Sequence, residues 1–198
     1  MKNPIRLLAA CAVLFCVQVN AQNTVGKKTS TPSFVVAVEK ILSDFPYNYQ
    51  NITGDLVLAE GDLEKYASTI NLPGAKTCEI GYYHSAFDTS ASWQAFMYES
   101  DEFAVAAREY KRLYQLLKTC KLKMVDGSVY YLSGEYDAAA EEKDFVVSSF
   151  KIQTADERYR NFKVELEMLY QLNNWVININ MASKKKDSEM RPDWMESK

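Results

Sequence analysis

The chain repeats its own pattern, and a repeat restricts the folds open to it more than any single motif does. Ile52-Thr53-Gly54-Asp55-Leu56-Val57-Leu58-Ala59-Glu60-Gly61-Asp62-Leu63 lines up with Val125-Asp126-Gly127-Ser128-Val129-Tyr130-Tyr131-Leu132-Ser133-Gly134-Glu135-Tyr136 at a constant offset of 73 residues. Gly54 and Gly61 fall on Gly127 and Gly134, each pair enclosing an apolar run, and these are four of only seven glycines. Upstream, Phe34-Val35-Val36-Ala37-Val38 faces Phe103-Ala104-Val105-Ala106-Ala107 at offset 69, and downstream Trp93 faces Trp175 at offset 82. The growing offset places longer loops in the second copy, chiefly near Asp137 to Glu142.

Each copy reads as a helix followed by about four strands. Thr31 and Pro32 suit a helix start, and Phe34, Val38, Ile41 or Leu42, and Phe45 recur at helical spacing until Pro46 stops the run. In the second copy Ser100 can cap, with Asp101 and Glu102 at the positive helix end. Phe103, Ala106, Tyr110, Leu113 or Tyr114, and Leu117 then form one apolar stripe. Phe162, Val164, Leu166, Met168 and Tyr170 alternate with Lys163, Glu165 and Glu167, and Trp175, Ile177, Ile179 and Met181 alternate with Asn178 and Asn180. Leu172 to Trp175 and Val125 to Ser128 carry hairpin-turn residues. One apolar and one polar face per strand calls for an antiparallel sheet covered on one side. The expected fold class is α+β. It is a tandem duplication, 31–99 and 100–183, with two helices on one face of about eight antiparallel strands.

Residues 1–21 read as a secretory signal peptide: Lys2 and Arg6, an apolar run from Leu7, and Val19-Asn20-Ala21 as the exit. Leu8-Ala9-Ala10-Cys11 also fits a lipoprotein signal, but only four residues separate Arg6 from Cys11. Cleavage at Ala21 is therefore the expectation, with a periplasmic or secreted product. The apolar run is too short to span a bilayer, which takes about 20 residues, so no transmembrane segment is expected in the mature chain. Residues 22–30 read as a flexible linker and 184–198 as a charged, flexible tail. Losing Lys2 and Arg6 takes the formal charge from −3 to −5. An acidic exported chain has no electrostatic reason to bind nucleic acid.

Cys78 and Cys120 remain after the leader is removed, and in an exported protein they read first as a disulfide. Closing that loop would stabilise the fold by about 4 kcal/mol in a chain-entropy account. Two separate buried thiols are the alternative. His84, the sole histidine, has Ser85 and Asp88 nearby but no G-x-S-x-G elbow, so it reads as a strand-end residue beside a turn at Phe87 to Ser90. Two cysteines and one histidine are a poor zinc set, and Glu135, Asp137, Glu141 and Glu142 lack the order of a calcium loop. No metal, cofactor or catalytic residue is assigned. Glu165 and Glu167, about 7 Å apart on one strand face, have the residue types of a glycosidase pair but the setting of an exposed sheet face. Asn51-Ile52-Thr53 matches a glycosylation acceptor.

The remaining signal is aromatic: 13 Tyr, 9 Phe and 3 Trp. Tyr82 and Tyr83 point opposite ways on a strand, as do Tyr130 and Tyr131, so one of each pair leaves the core face. Tyr83, Tyr98, Tyr130 and Tyr136 are the candidate binding residues, since exposed tyrosines offer large contact area at low entropy cost. In architecture the chain resembles the exported β-lactamase inhibitor protein family, which also sets two tandem repeats of helix against four-stranded antiparallel sheet. That resemblance implies contact with another exported protein through an aromatic-rich sheet surface, and it transfers no residue. The expected function is an exported, non-enzymatic binding protein whose partner is an exported or cell-envelope protein. A carrier of a small apolar ligand between sheet and helices is the alternative, and an envelope enzyme using His84 comes third.

Overall fold

The structure, a computed structural model, describes residues 31–84 and 89–184. The leader, the linker, the tail beyond Lys184 and the Ser85–Asp88 segment lie outside the described residues. Helix α1 spans Thr31–Asp44 and α2 spans Phe103–Lys118. The strands are β1 (Thr53–Glu60), β2 (Leu63–Ser68), β3 (Thr77–His84), β4 (Thr89–Ser100), β5 (Lys121–Lys123), β6 (Val129–Gly134), β7 (Phe145–Ile152), β8 (Phe162–Gln171) and β9 (Asn174–Ser183). All nine join one antiparallel sheet in the order β1-β2-β3-β4-β9-β8-β7-β6-β5. The fold is α+β, as the alternation requires.

The helices form where the apolar spacing places them. Phe34, Val38, Ile41 and Leu42 of α1, and Ala106, Tyr110, Leu113 and Leu117 of α2, are fully buried. α2 lies across β4, β6, β8 and β9, and α1 runs beside β5 and touches α2. The facing strand residues are the alternating set: Phe162, Val164, Leu166 and Met168 on β8, and Trp175, Ile177, Ile179 and Met181 on β9. Burying each large apolar side chain contributes about 1.5–3 kcal/mol. Polar atoms drawn into this layer are paired. The Trp93 indole N–H donates to Ser68 Oγ at 3.0 Å, and the hydroxyls of Tyr110 and Ser148 meet at 2.8 Å.

Several details differ from the sequence expectation. The second helix is followed by five strands rather than four, because the three-residue β5 forms ahead of the Asp126-Gly127 turn. The glycine match is not structural equivalence. Gly61 and Gly127 occupy turns at φ +56° and +88°, whereas Gly54 and Gly134 lie in strands where a neighbouring backbone leaves no room for a Cβ. Each aligned pair therefore joins a turn glycine to a close-approach glycine. Ser100 belongs to β4 and accepts from the Glu102 amide at 3.0 Å, so α2 starts after Glu102 and not after a serine cap. The β8–β9 turn has Leu172 and Asn173 at its centre, both at positive φ, so it runs Gln171 to Asn174, one residue earlier than Leu172 to Trp175.

The expected disulfide is absent: Cys78 and Cys120 are both free, buried thiols. Cys78 sits on β3, third in the sheet, while Cys120 immediately precedes β5, which is ninth. Each packs locally as a small apolar group. The Leu72 amide donates to Cys78 Sγ, and Cys120 Sγ donates to the Leu116 carbonyl, both at 3.4 Å. Among the described residues no helix is long and apolar enough to cross a membrane.

Candidate functional site

Both helices cover one face of the sheet, so the outward residues of the central strands make a continuous surface of their own. Cross-strand register arranges them in rows. One row runs Glu79, Gln94, Asn180, Glu165, Ser149 across β3, β4, β9, β8 and β7. The next runs Thr77, Phe96, Asn178, Glu167, Val147. Strand alternation alone marks these positions as solvated, but strands on both sides crowd them. Glu165 keeps only 7% of its surface. Its carboxylate is paired with the Lys184 ammonium, which anchors the end of β9 over the row. Burial, and then the neighbouring Glu165 charge, push the Glu167 carboxyl above the usual range, opposed by Lys184 and a hydrogen bond from Asn180. The two glutamates thus differ: one is neutralised by a lysine, and the other holds its proton more tightly than an exposed carboxyl would.

Where these rows cross β3, β4 and β9 lies a cleft of about 250 Å³, with Gln171 of β8 also in its lining. Thr77, Glu79, Gln94, Asn178 and Gln171 present its polar groups. Phe96 and the buried Val176 supply its apolar wall. The Lys76 ammonium stands 4.6 Å from the Phe96 ring centroid and is held by Glu99 at 2.8 Å. Glu99, which also accepts from Asn174, is held below the usual carboxylate range, first by that lysine bond.

The four candidate tyrosines do not gather on this surface. Tyr83, 53% exposed, points outward near the end of β3. Tyr98 points to the helix side, because a β-bulge at Met97 shifts the parity of β4 between Phe96 and Tyr98. Tyr130 also packs on the core, and Tyr136 stacks against Tyr110 and Tyr114 of α2 at 5.8 and 4.8 Å. Tyr131, not singled out from the sequence, is the outward tyrosine of β6 and is 59% exposed. Strand parity at Tyr130-Tyr131 could have assigned it once the face of Leu132 was known. Tyr83 and Tyr131 sit five strand positions apart, about 24 Å along the sheet.

His84 ends β3, with Nε2 3.3 Å from Glu64 Oε2. The Tyr66 hydroxyl donates to the same oxygen at 3.0 Å and is the larger cause holding the Glu64 carboxyl below its usual range. Its sequence neighbours Ser85 and Asp88 lie outside the described residues, so the Ser-His-Asp arrangement has no geometry here. Asn51 of the glycosylation motif donates through Nδ2 to Asp44 at 2.6 Å, which ties its amide into the turn after α1. Asp137 of the acidic loop pairs with Lys143 at 3.8 Å, and no described cluster of His, Cys, Asp or Glu could hold a metal ion.

The space between sheet and helices is filled by Phe34, Trp93, Tyr110, Phe150 and Phe162, each at most 1% exposed. Away from the sheet face, a shallow groove of about 540 Å³ runs along α1, near Val36 and Ile70. No protein family, curated protein or solved structure matches the chain.

Proposed function

We propose that this chain is an exported, non-enzymatic binding protein that meets a cell-envelope or exported protein through the outward face of its sheet. The observation that carries the reading is the one-sided cover: two helices pack on one face, while the other presents ordered polar rows with Tyr83 and Tyr131 toward its flanks. Exposed tyrosines flanking a polar centre suit recognition, because they bury area with few rotors to freeze. The filled interior favours this reading over a carrier of a small apolar ligand. The leader sequence supports export.

A photo-crosslinking residue at Tyr83 or at Tyr131, with Arg108 on the exposed side of α2 as control, tests it in an exporting host. Adducts of one defined mass from the sheet positions and none from Arg108 are expected. Adducts from Arg108 alone, or none from either tyrosine position, overturn the reading.

We further propose that the two helix-and-meander halves descend from one duplicated unit. The mirrored strand order β1-β2-β3-β4 against β9-β8-β7-β6, with β5 as an addition, supports common descent. Related sequences test it: halves more alike in some relatives agree with it, and halves equally unlike in all of them reject it.

A further inference from the structure

We propose that the cleft over β3, β4 and β9 is a binding site for a neutral saccharide. It lies on the outward face but does not depend on a protein partner. Its position follows from register: Gln94 and Phe96 are two apart on β4, Thr77 and Glu79 flank them on β3, and Asn178 flanks Phe96 on β9. Three neighbouring strands span about 10 Å, the width of a single sugar ring with its hydroxyls.

The chemistry of the lining selects the ligand class. Gln94, Gln171 and Asn178 each bring a donor and an acceptor, Thr77 brings a hydroxyl, and Glu79 brings acceptors only. Among the described residues the side chains of Thr77, Gln94, Gln171 and Asn178 make no hydrogen bond to other protein groups. Four hydrogen-bonding side chains converging without bonding one another leave their capacity to solvent or to a ligand. A sugar hydroxyl both donates and accepts, so it complements amides in either orientation. Phe96, half-buried in the lining, matches the C–H surface of a pyranose ring. The site offers no unpaired charge to an ion: Glu79, the one charged group in the lining, pairs with Lys65 at 3.7 Å, and the nearby Lys76 is engaged by Glu99. The volume of about 250 Å³ suits one monosaccharide unit or the end of a longer glycan, not a drug-sized apolar molecule.

The test is side-chain amide NMR on the whole chain, titrated with methyl β-glucoside, N-acetylglucosamine and maltose to about 50 mM, a range that detects millimolar affinity. Glucuronate and N-acetylglycine methylamide serve as charged and peptide-like probes. Saturable shifts of the Gln94, Gln171 and Asn178 side-chain amides with at least one neutral sugar are expected. Gln94→Ala and Asn178→Ala, at exposed or half-exposed positions, should each weaken binding about tenfold, the size of one or two lost hydrogen bonds, with unchanged backbone spectra. No shift with any neutral sugar overturns the inference. So does tighter binding of glucuronate or the peptide amide, or binding that survives both variants. Crosslinks from Tyr83 or Tyr131 without sugar shifts would overturn the saccharide site alone. Sugar shifts without crosslinks would overturn the protein-contact reading alone.

Discussion

The Tyr49 hydroxyl donates to the Met181 carbonyl at 2.8 Å, across 132 residues of sequence. This bond ties the turn after α1 to β9. The turn is strained, since Asn48 and Tyr49 both hold left-handed backbone, at φ 52° and 59°, a region that bulky residues seldom occupy. Asp44 secures the other side by accepting from the amide and the side chain of Asn51. Tyr49→Phe keeps the ring in its site and removes only the hydroxyl. A loss of about 1 kcal/mol is expected, against about 3–5 kcal/mol for Tyr49→Ala. Urea unfolding followed by tyrosine fluorescence checks this, and a Phe variant as stable as the parent would show that the bond contributes nothing.

Gly134 and Gly127 should respond differently to the same added methyl. A Cβ on Gly134 would lie 2.2 Å from the Ser149 carbonyl oxygen and 3.0 Å from Phe150 Cα, both backbone atoms of β7. The Gly134 carbonyl also accepts from the Tyr114 hydroxyl at 2.9 Å. Gly134→Ala is expected to cost about 2–3 kcal/mol by forcing the strands apart. Gly127 has open space around it and needs alanine only to tolerate φ +88°, about 1 kcal/mol of strain. Thermal melts of the two variants should rank them in that order.

Stability should fall in alkali. Burial raises the Cys78 thiol to about 11 and the Cys120 thiol to about 12, and it raises the Tyr110 and Tyr159 phenols to about 12. Each group keeps its proton in the folded state at a pH where the unfolded chain has released it. Stability from these groups is therefore complete below about pH 8.5, the unfolded thiol value. It is lost as pH rises through the folded values. Urea midpoints at pH 8, 9, 10 and 11 should decline stepwise. At pH 8 neither thiol should react with a maleimide until the chain is unfolded, and both should then react without reductant. A midpoint that rises with alkali, or thiols that need reduction first, would contradict the structure.

What the sequence disclosed was periodicity. The apolar stripe from Phe103 to Leu117 and the alternation of Phe162 to Met168 and Trp175 to Met181 follow directly from side-chain geometry, and burial falls on those positions, partial at Phe103 and near-complete beyond it. Other features depend on neighbours that a linear reading does not contain. Tyr98 turns inward because one extra residue at Met97 resets the parity of β4. Glu165 looks solvated in a Lys-Glu-Glu alternation, yet β7 and β9 close around it. Cys78 and Cys120 read as partners because the expected compartment is oxidising, but the strand order keeps them apart. The polar cleft escaped notice for the same reason: Thr77 and Phe96, partners on the β3–β4 hairpin, meet Asn178 only because β4 pairs with the distant β9.

β9 is the last described strand in chain order and the fifth of nine in the sheet, joined to β4 on one side and β8 on the other. Without Asn174 to Ser183 the sheet has no strand to pair with both β4 and β8, and it stays two half-sheets with open edges. Contacts such as Trp93 with Met181 join residues 88 positions apart (181 − 93), and closing so long a loop is slow. Closure of the sheet thus waits on β9, the strand that turns two separate meanders into one continuous layer.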